Sequence, residues 1–287
     1  MSEADRRPWP VAPVRPVLLS HVHDPATTPV FPGDPPFTMT RAATIDADGY
    51  YLLRVSCGEH TGTHWGAPAH FDPGGLRADD LDADDLFRPA VRLDVRAAVA
   101  RDPDYQVRVA DLVGFEAAHG PIPAEAAVLA WTGWSDRWGT PAYPNLDERG
   151  RIHQPGFALA AVEWLVETGR LGRRGALGTD TFGPDPGLDT GYAVSRLLYR
   201  ERRISLENLT NLGALPPTGA WVLAGGTRNR AGSGSPATVY GLLPASDVSR
   251  PPTTVAGAPT TVAGAPTTAV ERSSGPSAAS GAGRANR

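Results

Sequence analysis

Gly58-Glu-His60-Thr-Gly-Thr-His64-Trp-Gly66-Ala-Pro-Ala-His70-Phe71 holds three of the chain's seven histidines within eleven residues. Gly62, Gly66 and Pro68 interrupt both helix and strand. The segment is therefore expected to fold back and bring imidazoles spaced i, i+4 and i+10 to one point. Neutral imidazole is the commonest metal ligand and the side chain best matched to proton transfer near neutral pH. Ordinary loop histidines need no such punctuation, so the Gly-Thr-His turn favours a site.

Upstream, Tyr51, Leu53, Val55 and Cys57 alternate with Leu52, Arg54 and Ser56. That period of two predicts a strand delivering the chain into the histidines. Phe31-Pro-Gly-Asp34-Pro reads as a turn, either at the surface or at the mouth of a site. Downstream, Asp72 to Asp85 is rich in aspartate and glycine, but its spacing fits no EF-hand loop, so a solvated loop is expected.

Further along, Val91–Val95 predicts a short strand. Val109–His119 carries Leu112, Phe115 and His119 at helical spacing, with Gly120 as a stop; His119 then lies at a helix C-terminus, a structural position. Ala127 to Trp134 predicts a buried strand running into a loop with Trp131, Trp134 and Trp138, tryptophans that either line a pocket or cap the core. Pro155–Gly169 is the clearest amphipathic helix. Gly175 to Pro186 reads as a strand ending in a loop, Tyr192–Arg202 as a helix, Ser205–Leu212 as strand-like, and Trp221–Ala224 and Thr238–Leu243 as late strands. The sum is an α/β domain with a mixed sheet.

The 287 residues contain 41% hydrophobic residues, enough for one large core. A net charge of −4 leaves no nucleic-acid footprint. All 27 basic residues are arginine, which excludes lysine chemistry. Cys57 is the single cysteine, which precludes an intrachain disulfide and favours the cytoplasm. No signal-peptide pattern or apolar run of membrane-spanning length is seen, so no membrane partner is expected. Residues 1–24 are rich in proline and arginine and are expected to form an N-terminal arm. Residues 25–248 are expected to form the one folded domain, which the resemblance given below implies is catalytic. In 249–287, Thr253–Pro259 recurs as Thr260–Pro266 among small residues that cannot bury a core, so a disordered tail is expected.

The histidine stretch resembles the centre of the cyclase family, which includes bacterial kynurenine formamidase and isatin hydrolase. The family pattern is His-x-Gly-Thr-His-x-Asp-x-Pro-x-His. His60, Gly62, Thr63, His64, Pro68 and His70 match it, and Gly66 stands where the family carries a metal-ligating aspartate. Phe31 to Phe37 is similar to the family's Pro-Gly-Asp-Pro element, and Glu207-Asn-Leu to its Glu-Asn-Leu segment. The resemblance spans about 25–245 and implies a swivelling β/β/α fold in one domain, often a homodimer or homotetramer. It also implies a metal site in which Glu207 would be a ligand and a histidine would lie twelve residues earlier, where this chain has Ser195.

Losing both a bridging carboxylate and an imidazole makes a two-metal centre improbable, because two dications need anionic oxygens between them. A single zinc or manganese on His60, His64, His70 and Glu207 is the alternative to a site with no metal. Without metal, His60, His64, His70 and Glu207 act as acid–base groups and oxyanion donors. Trp65, Trp134, Asp180, Tyr192, Ser195 and Tyr199 are candidates for binding a small, flat or aromatic substrate. The expected activity is ring closure or elimination at a carbonyl, with hydrolysis of an amide, lactam or lactone as the alternative and a non-catalytic binding protein as the third reading.

Overall fold

A computed structural model describes residues 14–244; the N-terminal part of the arm and the repeat-bearing tail lie outside the described residues. The chain enters as β1 (Val14–Leu18), then forms a hairpin of β2 (Thr38–Ala43) and, after α1 (Ile45–Asp48), β3 (Leu52–Ser56). Next come β4 (His64–Gly66), α2 (Ala83–Leu86), β5 (Phe87–Asp94), α3 (Arg96–Val99), β6 (Gln106–Val107), α4 (Val109–His119) and β7 (Ala127–Trp131). There follow β8 (Gly156–Phe157), α5 (Leu159–Glu167), β9 (Ala176–Thr179), α6 (Ala193–Leu198) and β10 (Ile204–Glu207). The last strands are β11 (Ala220–Ala224), β12 (Gly234–Pro236) and β13 (Val239–Pro244).

Nine strands make one mixed sheet in the order β1-β13-β11-β5-β7-β9-β10-β4-β12. The central strands β5, β7, β9 and β10 run parallel, and the outer pairings on both sides are antiparallel. Central strands are covered on both faces, so they read as continuous apolar runs. Val91, Leu93, Val128, Ala130 and Leu177 face one core, which takes Leu112 and Phe115 of α4, Val162 and Leu165 of α5, and Val194 and Leu198 of α6. Ala90, Ala127, Leu129 and Ala176 face the other core, with Trp65, Leu206, Leu209 and Val222. This is the expected α/β domain with a mixed sheet.

One local expectation, the strand ahead of the histidines, holds with an added detail, and three are revised. β1 is a full member of the sheet and Leu19 is buried behind it, so the arm joins the domain by residue 14. β3 belongs to a separate two-stranded hairpin that leaves Tyr50, Tyr51, Leu52 and Val55 exposed. The strand expected over 205–212 stops at Glu207, because Asn208 and Asn211 take left-handed backbone conformations. The aspartate-rich loop is not simply solvated. Asp85 is fully buried and ion-paired with Arg202 at 2.6 Å and Arg174 at 3.2 Å, and these contacts tie the loop to the body of the domain.

Candidate active site

The short strand β4 builds the site. Its antiparallel register with β10 sets His64 opposite Glu207 and Gly66 opposite Ser205. Alternation along a strand sends Trp65 to the opposite face, where it is buried in the second core. His64 Nδ1 lies 2.8 Å from the Gly62 carbonyl, to which its N–H donates, leaving Nε2 to face Glu207 Oε2 at 3.2 Å. That separation is within ion-pair range but off the line a hydrogen bond needs, and buried Nε2 has no hydrogen-bond partner among the described residues. Burial disfavours charge on both groups. Even so, Glu207 holds the His64 pKa above the ordinary imidazole value, and His64 holds the Glu207 pKa below the usual carboxylate range.

The other two histidines join the same cluster. His60 stacks on His70 with ring centroids 3.7 Å apart, and meets His64 edge-on at 5.1 Å. His60 Nε2 lies 2.9 Å from Ser233 Oγ. Burial, together with the neighbouring His64 and His70, pushes the His60 pKa down to about 2. Burial also lowers His70, against the pull of Glu207. The three rings thus differ in proton affinity, with His64 the highest of the cluster.

Behind Glu207 runs a buried relay. Ser205 Oγ donates to Glu207 Oε1 at 2.5 Å and lies 2.7 Å from the Tyr199 hydroxyl. Tyr199 fills the space in front of Gly66: a Cβ added there would lie 2.2 Å from its hydroxyl oxygen. The resemblance would put an aspartate side chain here; this chain holds a phenol in that volume instead.

In front of these groups opens a cavity of about 510 Å³, lined by His60, His64, His70, Glu207, Ser195 and Tyr192. Two aromatic pairs form its walls, Phe31 with Phe182 and Phe71 with Tyr192, at 5.6 and 5.1 Å between centroids. Ser195 is held by Asp185, which accepts from the Ser195 hydroxyl and from the Val194 amide at 2.8 Å. Burial raises the Asp185 pKa to about 6.

Of the residues expected at the site, His60, His64, His70, Glu207, Tyr192 and Ser195 come together. Four do not line the cavity. Trp65 donates its indole N–H to the Gly225 carbonyl at 3.1 Å, and Trp134 donates to the Tyr143 carbonyl at 2.9 Å; both are core residues. Asp180 accepts from the Thr132 amide, the Thr132 hydroxyl and the Gly133 amide, at 3.0, 2.6 and 2.9 Å, and so fastens the turn after β7. Tyr199 stands one layer behind Gly66. Residue-type reasoning missed Phe182 and Asp185. Their signal was the Phe182-Gly-Pro-Asp-Pro-Gly run, whose two prolines keep it out of regular structure at the end of β9.

A divalent metal here would draw on His60, His64, His70 and Glu207. The unpartnered Nε2 of His64, with its other nitrogen on a carbonyl, is the arrangement of a ligating imidazole. The rest of the set does not join it. His60 Nε2 is turned to Ser233, His60 and His70 stack face to face, Ser205 holds one Glu207 oxygen, and Tyr199 fills the space beside Gly66. Among the described residues no three histidine, cysteine or carboxylate groups are placed to hold one metal ion. As arranged, the donors do not fit a metal ion, and no step below runs through one.

A sequence model described as "Putative cyclase" matches residues 17–186, more than half of the chain. The chain belongs to the cyclase family and is an enzyme of that family. Isatin hydrolase of Roseibium aggregatum is 33% identical over 219 residues, 73% of this chain and 82% of that protein. Kynurenine formamidase of Paracidovorax citrulli is 35% identical over 186 residues, 64% of this chain and 77% of its own length. The solved structure of isatin hydrolase A from Labrenzia aggregata bound to benzyl benzoate superposes with a TM-score of 0.74 at 32% identity, covering 80% of this chain and 94% of that one. These named relatives are hydrolases. Among the described residues no helix is long and apolar enough to cross a membrane.

Proposed function

We propose that the enzyme opens a lactam fused to an aromatic ring by adding water across its amide bond. The observation that carries this reading is the cross-strand pair of His64 and Glu207, buried at the base of a cavity with aromatic walls. The similarity to isatin hydrolases over most of both chains supports it. In this reading a planar bicyclic amide lies between Phe31–Phe182 and Phe71–Tyr192, with its carbonyl toward the histidines.

In this reading Glu207 Oε2 is the base. Its partner oxygen is fixed by Ser205, so one oxygen is aimed and available. A water held between Glu207 and the substrate loses a proton to the carboxylate as its oxygen bonds to the carbonyl carbon. His64, protonated at Nε2, donates first to the developing oxyanion. The tetrahedral adduct collapses by breaking the C–N bond, and the proton on Glu207 passes to the leaving nitrogen. The products are an aryl amine and a carboxylic acid, which releases its remaining proton to solvent to become a carboxylate, and the pair returns to its starting state.

One observation favours a second reading. With Tyr199 in place of a carboxylate beside Gly66, the site is arranged for acid–base exchange, which also suits ring closure or elimination at a carbonyl. Offering isatin, an N-formyl aryl amine and a linear keto acid in water labelled with oxygen-18 separates the two. Label in a carboxylate product identifies hydrolysis. Absence of turnover of both amides, with loss of water from the linear compound, would sink it in favour of the second reading.

A further inference from the structure

The charge lining the cavity bears on which substrates it takes. Besides Glu207, the aspartates Asp34, Asp185 and Asp189 line it, and Arg151 is the one arginine among its lining residues. Arg151 is already bound to Asp147 at 2.7 Å. Asp185 and Asp189 are saturated by the start of α6: Asp185 accepts from the Val194 and Ser195 amides, and Asp189 from the Gly191 and Ala193 amides at 2.8 and 2.9 Å.

Asp34 differs from both. Its backbone N–H closes the Pro-Gly-Asp turn on the Phe31 carbonyl at 3.0 Å. Its exposed carboxylate has no hydrogen-bond or ion-pair partner among the described residues. Asp34 lines the same cavity as His64 and His70, so its charge faces the site. The same cavity is lined by His64, whose buried Nε2 has no hydrogen-bond partner among the described residues. A ligand bridging them meets a polar anchor at the base and a free anion at the rim.

Resting on the hydrolase reading, we propose that Asp34 is a specificity residue that selects aromatic lactams carrying a cationic substituent on the ring edge away from the scissile carbonyl. The same field disfavours anionic substrates, and it repels the carboxylate that ring opening creates. Product release then follows from the chemistry itself: hydrolysis converts a neutral group into an anion inside a cavity lined by four carboxylates and one arginine.

Three ring compounds of one shape test this: isatin, isatin-5-sulfonate and 5-aminomethylisatin. Binding is measured by calorimetry and turnover by loss of the ring absorbance, on the full chain. A unit charge at the rim changes affinity about tenfold in each direction. The aminomethyl compound is expected to bind about tenfold more tightly than isatin, and the sulfonate about tenfold more weakly. The spread of about a hundredfold collapses in Asp34→Asn, persists in Asp34→Glu, and shrinks between 20 mM and 500 mM salt, as rim electrostatics do. Equal binding of the three compounds, or a ranking unchanged in Asp34→Asn, overturns the proposal even if isatin is hydrolysed. The expected ranking without turnover of any amide keeps Asp34 as the selector and removes the hydrolase reading.

Discussion

Asp180 and Glu207 end neighbouring parallel strands. Both are buried, and both are acidic residues at the carboxyl edge of a sheet, where ligands of α/β folds gather. Their surroundings separate them. Asp180 accepts three hydrogen bonds from Thr132 and Gly133 and has no view of the cavity. Glu207 has one oxygen held by Ser205 and the other opposite a histidine nitrogen that lacks a partner. Burial alone does not mark a reactive carboxylate; an oxygen left without its full set of donors does.

The largest effect is expected at Glu207. Glu207→Gln keeps the shape and removes the base, and should lower kcat by about 10²- to 10⁴-fold, with the melting temperature little changed. Wild-type-like turnover in this variant would erase the distinction between the two carboxylates. Asp180→Ala should do the reverse. It leaves the Thr132 and Gly133 amides without their acceptor and should cost about 2–4 kcal/mol of stability, read from urea midpoints. Tyr199→Phe removes the phenol from the Ser205 relay and should cost about 1 kcal/mol in stability, with kcat falling less than in Glu207→Gln.

The smallest effect is expected outside the site. Burial, with nearby His23, holds the His21 pKa down to about 4. Between that value and the ordinary imidazole value the unfolded chain binds the proton more readily, so stability from this residue rises with pH over that window and is lost on acidification. Asp185 and His64, with raised pKa values, act in the opposite sense. His21→Gln should therefore flatten the acid side of the melting-temperature profile without moving kcat. A parallel loss of activity would place His21 in the chemistry.

Much of this site was legible in the sequence because the decisive residues are local or set by register. His60, His64 and His70 lie on one punctuated turn, and Glu207 faces His64 across a strand pair. Ser195 follows from the helix that precedes β10, whereas Tyr192 caps that helix in a left-handed conformation. Direction was less legible. Trp65 is adjacent to His64, yet strand alternation sends it into the core. Trp134 and Asp180 sit at loop starts, where spacing fixes neither side-chain direction nor partners. Asp85 read as a solvated acid, because its partners Arg174 and Arg202 lie about 90 and 117 residues away. The sheet itself followed from the apolar runs of β5, β7 and β9, whereas the place of β1 at its edge depends on pairing with the last strand.

The contact between Gly66 and Tyr199 fixes the order in which this site can be altered. A side chain placed at 66 first would start 2.2 Å from a buried phenol oxygen that has nowhere to go. If Tyr199 becomes Phe first, the closest atom of that ring is the carbon at 3.4 Å, and the remaining contact, Ser205 Oγ at 2.7 Å, can rotate aside. Gly66→Asp should thus be harmful in the native background and tolerated after Tyr199→Phe. The effect of Gly66→Asp therefore depends on whether Tyr199→Phe came before it, and single-step libraries that begin at position 66 will miss carboxylate-bearing versions of this pocket.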